Sequence, residues 1–159
     1  MDFRILDASA FYAGVPFQTS KTHFTTILVY EEIKHIKKNQ DVLSTLIETN
    51  RLKIIEPEES DIKQATDAAK KSGDLPQLSP EDISIIALGI KIKGEIISDD
   101  FAVSNVAKNI GLKISPIMTK GIRDVGNWIH YCPGCKVEQK EKKECVNCGT
   151  PLKRKLLKK

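Results

Sequence analysis

No run of 18 apolar residues occurs anywhere in this chain, and its start, Met1-Asp2-Phe3-Arg4, lacks the apolar stretch of a secretory leader. Both absences lead to the expectation of an intracellular, cytoplasmic protein without membrane contact. Internal repeats and long low-complexity tracts are missing too. Histidine is scarce: His23 falls in a loop and His35 sits beside Lys34 and Lys37 as a surface residue, so neither carries an argument for a site. Cysteine is absent from the first 131 residues. What is present, 159 residues of which 40% are hydrophobic and 29% charged, suits one ordinary domain with a good core plus a small appendage.

The segment from Ser79 to Phe101 organises the first part. Ser79 is a good N-cap, Pro80 suits the first helical position, and Glu81 and Asp82 complement the positive end of the helix dipole. Ile83, Ile86, Ala87 and Ile90 recur at helical spacing, while Ile85, Leu88 and Ile92 widen the apolar stripe until most of the helix is buried. Gly94 is read as its stop. Glu95-Ile96-Ile97-Ser98 is then a short buried strand that delivers Asp99 and Asp100. Around this unit, Phe3–Leu6, Leu52–Pro57 and Gly111–Pro116 read as strands. Ile27–Lys38, Asp41–Thr49, Ser60–Ser72 (Ser60 as cap, Gly73 as stop) and Ala102–Ile110 read as helices. Such alternation predicts an α/β fold with a mostly parallel sheet flanked by helices.

Asp82 either closes a capping box with Ser79 or belongs to a site, and Asp99 and Asp100 either form a turn or do the same. Convergence with other acids decides between these. Asp7 follows the first strand, at the carboxyl edge where parallel sheets form their ligand crevice, and Asp100 shares that edge. Glu32 falls on the apolar face of Val29, Ile33 and Ile36, where a carboxylate is costly unless paired, protonated or bound to metal; Glu31 faces solvent. Four carboxylates at one edge would suit Mg2+ or Mn2+ without any histidine, and such cations support in-line phosphodiester displacement.

These motifs, Leu6-Asp7-Ala8-Ser9, Thr25-Thr26 before Tyr30-Glu31-Glu32-Ile33, Leu78-Ser79-Pro80-Glu81-Asp82 and Ser98-Asp99-Asp100-Phe101, resemble the PIN-domain ribonucleases over roughly residues 1 to 117. The resemblance implies an acidic quartet on Asp7, Glu32, Asp82 and Asp100. Asp99 competes for the last place, and Ser98 takes the small hydroxyl position beside it.

Residues 118 to 127, with Gly121 and Gly126, show no sustained periodicity and are read as a linker. Residues 128 to 159 hold all four cysteines as Cys132-Pro133-Gly134-Cys135 and Cys145-Val146-Asn147-Cys148. Paired C-x-x-C knuckles predict a structural, four-thiolate zinc ribbon rather than disulfides in such a chain. Trp128 and Tyr131 are expected to pack on the ribbon. From Pro116 onward 11 Lys and Arg face 4 Asp and Glu, concentrated in a basic tail, Lys153 to Lys159. A basic module beside a metal-dependent acidic site suits RNA, because cations bind phosphates. A PIN-like domain followed directly by a four-cysteine ribbon resembles the archaeal form of the Nob-type ribosome-assembly endonucleases. That resemblance implies cleavage at the 3′ end of precursor small-subunit rRNA within a pre-ribosomal particle. Two alternatives stand beside it: a toxin-like PIN ribonuclease, and a non-catalytic RNA-binding assembly factor whose acids are structural.

Overall fold

Five short segments, β1 (Arg4–Leu6), β2 (His23–Thr25), β3 (Leu52–Ile54), β4 (Glu95–Ile97) and β5 (Ile114–Ser115), pair in the order β3-β2-β1-β4-β5, every neighbour parallel. The structure is a computed structural model and describes residues 3–35, 40–118, 121–122, 124–139 and 143–158. Parallel pairing requires a crossover after each strand, and here helices supply them. They are α1 (Ala8–Tyr12), α2 (Ile27–Ile33), α3 (Gln40–Glu48), α4 (Glu59–Ser72), α5 (Pro80–Ile92) and α6 (Phe101–Asn109). All strand carboxyl ends therefore share one edge. Ile5, Leu6 and Ile96 are fully buried, as are Ile85, Ile86 and Leu88 of α5, so the central strands are covered on both faces. Among the described residues no helix is long and apolar enough to cross a membrane.

Several local expectations change. β2 was not legible as a strand, because His23-Phe24-Thr25 is only three residues long and a buried histidine opens it. The cap of α4 is Glu58 rather than Ser60: the Glu58 side chain and Asp61 form a reciprocal box, with Asp61 accepting from the Glu58 N–H at 2.9 Å. α5 ends on Lys93, which takes the left-handed conformation at φ 52°, not on Gly94. Gly94 serves a close approach instead, since a Cβ there would lie 2.7 Å from the Phe3 carbonyl oxygen. α2 ends at Ile33 with Lys34 as its C-cap, short of the expected Lys38, and residues 36–38 lie outside the described residues.

Cysteine-bearing residues form a second, antiparallel sheet in which β6 (Gly126–Tyr131) lies between β7 (Glu138–Gln139) and β8 (Lys153–Lys158). The basic segment is thus not a loose tail but a strand paired with β6 along its length. β6 begins at Gly126, inside the stretch read as linker. The Gly126 N–H donates to Asn105 Oδ1 at 2.9 Å, and its carbonyl accepts from Asn105 Nδ2 at 2.9 Å and Asn109 Nδ2 at 3.0 Å. Trp128 packs on the larger domain rather than on the ribbon alone, donating from Nε1 to buried Asp74 at 2.8 Å. Gly73, the left-handed end of α4 at φ 82°, leaves room for this ring: a Cβ there would meet Trp128 Cβ at 2.7 Å.

Gly94→Ala is expected to destabilise the fold by about 1–3 kcal/mol, the usual cost of overpacking a close backbone approach. Urea unfolding measures it, with the midpoint falling and the slope unchanged.

Candidate active site and a four-cysteine centre

Leu6 and Ile97 are partners in the β1–β4 register, so the residues after them, Asp7 and Ser98, emerge side by side at the carboxyl edge. Asp7 caps α1, its Oδ1 accepting from the Ala10 N–H at 3.1 Å and the Ser9 hydroxyl at 2.5 Å. It is 5% exposed. Burial pushes its carboxyl up from the ordinary 3.8; the Ser9 and Ser98 hydroxyls and the Ala10 N–H pull the other way, and the Asp82 charge adds to the rise.

Asp82 occupies the third position of α5 and closes the capping box: Oδ2 accepts from the Ser79 N–H at 3.0 Å while Ser79 Oγ accepts from the Asp82 N–H at 3.2 Å. The structural and electrostatic readings of this residue therefore hold together. Its carboxyl is also raised, first by burial and then, against the Ser79 hydrogen bonds, by the charges of Asp100 and Glu81. Asp100 caps α6, accepting from the Val103 N–H at 3.1 Å, and its own N–H donates to Ser98 Oγ at 3.1 Å. Asp99 is placed differently. Both of its oxygens are held by backbone N–H groups, Ile117 at 2.7 Å and Met118 at 2.8 Å, which ties down the chain leaving β5.

α2 is aligned by two hydroxyls: Thr26, its N-cap, meets Ser84 of α5 at 2.7 Å, and Thr25 donates to the Leu6 carbonyl at 2.9 Å. Val29 and Ile33 are buried, but Glu32 is exposed, so the expectation of a core-facing carboxylate fails. The helix turns Glu32 to the margin of the stripe, toward the other acids. Its carboxyl is raised from 4.5 by partial desolvation and then by Glu81, Asp82 and Asp7. Glu31 pairs with Lys34 on the solvent side. Glu81, read in the sequence only as a dipole partner, thus joins the group as a fifth negative charge.

Asp82 is the common neighbour: Asp7, Glu32 and Asp100 all interact with it electrostatically. The acids are nevertheless spread more widely than the cysteines. Among the described residues the sulfurs of Cys132, Cys135, Cys145 and Cys148 form the group of candidate metal ligands drawn within 4.8 Å of one another. Cys132 and Cys148 lie 3.5 Å apart, Cys135 and Cys148 3.6 Å, and Cys135 and Cys145 3.9 Å. A disulfide needs ~2.05 Å, and tetrahedral thiolates about 2.3 Å from zinc sit ~3.8 Å apart. The cysteines are free of disulfides and their spacing fits one tetrahedral ion. N–H groups support the sulfurs: Cys135 N–H reaches Cys132 Sγ at 3.3 Å and Gln139 Nε2 reaches Cys145 Sγ at 3.0 Å.

The family described as "PIN domain of ribonuclease" matches residues 5–92. "Endoribonuclease Nob1" of Pyrococcus abyssi is 34% identical over 152 residues, 94% of this chain and 91% of that protein. The chain belongs to the Nob1 family of PIN-domain endoribonucleases. The Nob1 protein of Methanothermobacter thermautotrophicus is similar to it at 35% identity over 160 residues, 96% of this chain and 92% of that one. "Ribonuclease VapC1" of Thermoplasma acidophilum, 33% identical, matches 77% of this chain and 63% of its own length. Likeness to the Nob1 proteins thus extends over nearly the whole chain, whereas likeness to the VapC ribonuclease does not.

Raised carboxyls fix the direction of a pH effect. A group that holds its proton more tightly folded than unfolded favours the fold in acid, so its contribution is lost as pH rises from the ordinary value of 3.8 or 4.5 through the folded value. With divalent ions chelated, the melting temperature of the chain should fall on going from pH 4.5 toward 7 by more than that of Asp82→Asn, whose amide oxygen can still accept from Ser79. Equal slopes in the two melting series would contradict this.

Proposed function

We propose that the chain is a metal-dependent endoribonuclease in which Asp7, Glu32, Asp82 and Asp100 hold Mg2+ or Mn2+, and that it acts on precursor small-subunit rRNA within a pre-ribosomal particle in the cytoplasm. The observation that carries this reading is the gathering of acids at one sheet edge, in a chain matched by Nob1 endoribonucleases over most of its length. Asp7 and Asp100 follow the adjacent strands β1 and β4, and Asp82 is close enough to interact with Asp7, Glu32 and Asp100. An all-carboxylate donor set fits a hard cation, and the carboxyls of Asp7, Glu32 and Asp82, raised first by burial, are raised further by one another's and their neighbours' negative charge, which a cation would offset. Held by Asp7, Glu32, Asp82 and Asp100, a divalent cation would supply water activation and charge neutralisation at the phosphate.

The chain's own residues set the frame for that chemistry. Ser9, Ser98 and the Ala10 N–H orient Asp7, the capping box orients Asp82, and the start of α6 orients Asp100. Glu32 brings the least constrained carboxylate, at the exposed margin. Asp99 is left to structure by its two backbone partners, which favours Asp100 as the fourth acid. The cysteine centre suits Zn2+ in a structural role, because all four positions are protein sulfur and none is left for water. β8 then presents Lys153, Arg154, Lys155 and Lys158, exposed cations for the RNA backbone. The ribbon also argues against a toxin-like ribonuclease, since the VapC relatives match only 77% and 74% of the chain.

Asp7→Asn and Asp82→Asn are each expected to lower cleavage of RNA spanning the precursor junction by more than about 100-fold, since loss of outer-shell partners alone costs 10–100-fold at metal sites. Undiminished cleavage in both variants, with native circular dichroism, would leave a non-catalytic assembly factor as the better account. Cys145→Ser should release zinc, seen by native mass spectrometry, and weaken RNA binding. Amide signals of residues 3–70 should stay in place while those of Asp74 and Asn105 move.

A further inference from the structure

Phe101 is the first residue of α6, directly after Asp100, and is 39% exposed. It takes no part in the apolar core of the larger domain. Its neighbour is Trp128, met edge-on with ring centroids 6.0 Å apart at 63°. Trp128 cannot turn freely, because its Nε1 is held by Asp74, which is 1% exposed and is itself fixed by the Ser72 hydroxyl and the Asn105 amide, each at 2.6 Å. On the Trp128 ring lies the Arg154 guanidinium, 4.4 Å from the centroid and anchored to the Gly73 carbonyl at 3.2 Å. A cavity of about 390 Å3 opens between the two domains here, bordered by Asp100, Phe101, Trp128, Arg154 and Gln77.

Ala102 and Asp74, whose carboxylate is already engaged by Ser72, Asn105 and Trp128, complete the lining, and the rings, the guanidinium and the Gln77 amide each have a use for a nucleotide. Exposed aromatic rings and guanidinium planes are surfaces on which bases of any identity stack. The guanidinium also offers donors to a phosphate, and the Gln77 amide offers a donor and an acceptor to a base edge. The acid that borders the cavity, Asp100, belongs to the group proposed to hold the catalytic cation. A phosphate carried to those acids brings its flanking nucleotide to Phe101. An RNA in A-form duplex cannot supply that base, because it stays stacked; a single strand can.

We propose that Phe101, Trp128 and Arg154 form a stacking subsite for one unpaired nucleotide of the RNA, next to the phosphate presented to the acids, with the ribbon supplying one wall. This deepens the endoribonuclease reading and rests on it. The subsite is preformed, since Asp74 and Asn105 lock β6 against the larger domain. Phe101 is exposed enough to be removed without disturbing that lock.

Trp128 is the chain's one tryptophan and reports on the site directly. The full chain carrying Asp7→Asn, to prevent cleavage, is titrated with a short single-stranded oligouridine, following anisotropy of the RNA and emission of Trp128. Oligouridines with a single abasic ribose moved along the strand are compared. Binding is expected to change Trp128 emission saturably, and Phe101→Ala to weaken it roughly 5- to 100-fold, the range for loss of one base–aromatic stack. One abasic position should weaken binding by a similar factor and cost nothing further in the Phe101→Ala chain. RNA that binds while Trp128 emission stays unmoved, or abasic and Phe101→Ala effects that multiply at every position, overturns the subsite and leaves the nuclease reading standing. Absence of any RNA binding or wild-type cleavage overturns both.

Discussion

Negative charge that must be held together is the constraint from which the arrangement of the larger domain follows. At an effective dielectric of about 20, unit charges roughly 6 Å apart repel by about 3 kcal/mol, more than the ~1 kcal/mol a single helix cap returns. No one capping bond could therefore keep these acids in place. The fold instead puts Asp7, Asp82 and Asp100 at the N-terminal ends of three helices, where backbone N–H groups and the positive ends of the helix dipoles meet them. Those helices are themselves fixed by apolar burial: Ala10 and Phe11 of α1, Ile83 to Leu88 of α5, and Val103 and Val106 of α6. Core packing is thus what opposes the repulsion. Burial, with the neighbouring charges adding to it, leaves the carboxyls of Asp7 and Asp82 holding their protons above the ordinary range.

How far this was legible depended on whether an element's signal was local. α5 could be read nearly to the residue, because cap, proline, acids and apolar run all lie within one segment, and only its end was misassigned. Lys93 takes the left-handed turn because Gly94 is needed elsewhere, against Phe3, and that contact spans ninety residues of chain. β2 escaped for the same reason. Three residues carry no periodicity, and His23 is buried only because β1 and β3 close over it on either side. Glu32 was singled out on the argument that it is buried, which it is not; its place in the group comes from where α2 points, and that depends on the Thr26–Ser84 contact. Asp99 and Asp100 could not be told apart by spacing, because what separates them is the backbone of Ile117 and Met118, in the segment that leaves β5.

The least legible feature is the junction between the two parts. Nothing about Asp74, before Leu75-Pro76, distinguishes it from an ordinary turn acid, yet it is buried and receives hydrogen bonds from Ser72, Asn105 and Trp128. A buried carboxylate is tolerated only when its oxygens are satisfied, so these three donors are a condition of the packing, not an ornament to it. Since one donor comes from α6 and another from the ribbon, satisfying Asp74 also sets the distance between Asp100 and Trp128. The stretch expected to behave as a linker is, at Gly126, part of the same network.

That coupling bears on what the ribbon contributes. A small cysteine-rich module owes most of its folding free energy to its metal, on the order of 10 kcal/mol for structural zinc, and could have served as an independent RNA-binding unit on a flexible tether. Tethered, it would raise the local concentration of RNA without choosing which phosphate reaches the acids. Here β6 and β8 are docked instead, and the cations of β8 stand in a fixed relation to the acidic edge. RNA drawn to the basic strand would then arrive along one path, past Arg154 and Trp128, before any phosphate meets the carboxylates. Along such a path a strand would meet the attraction of the ribbon's cations before the negative charge of the acids, and its backbone would reach them in an orientation set by the docked ribbon.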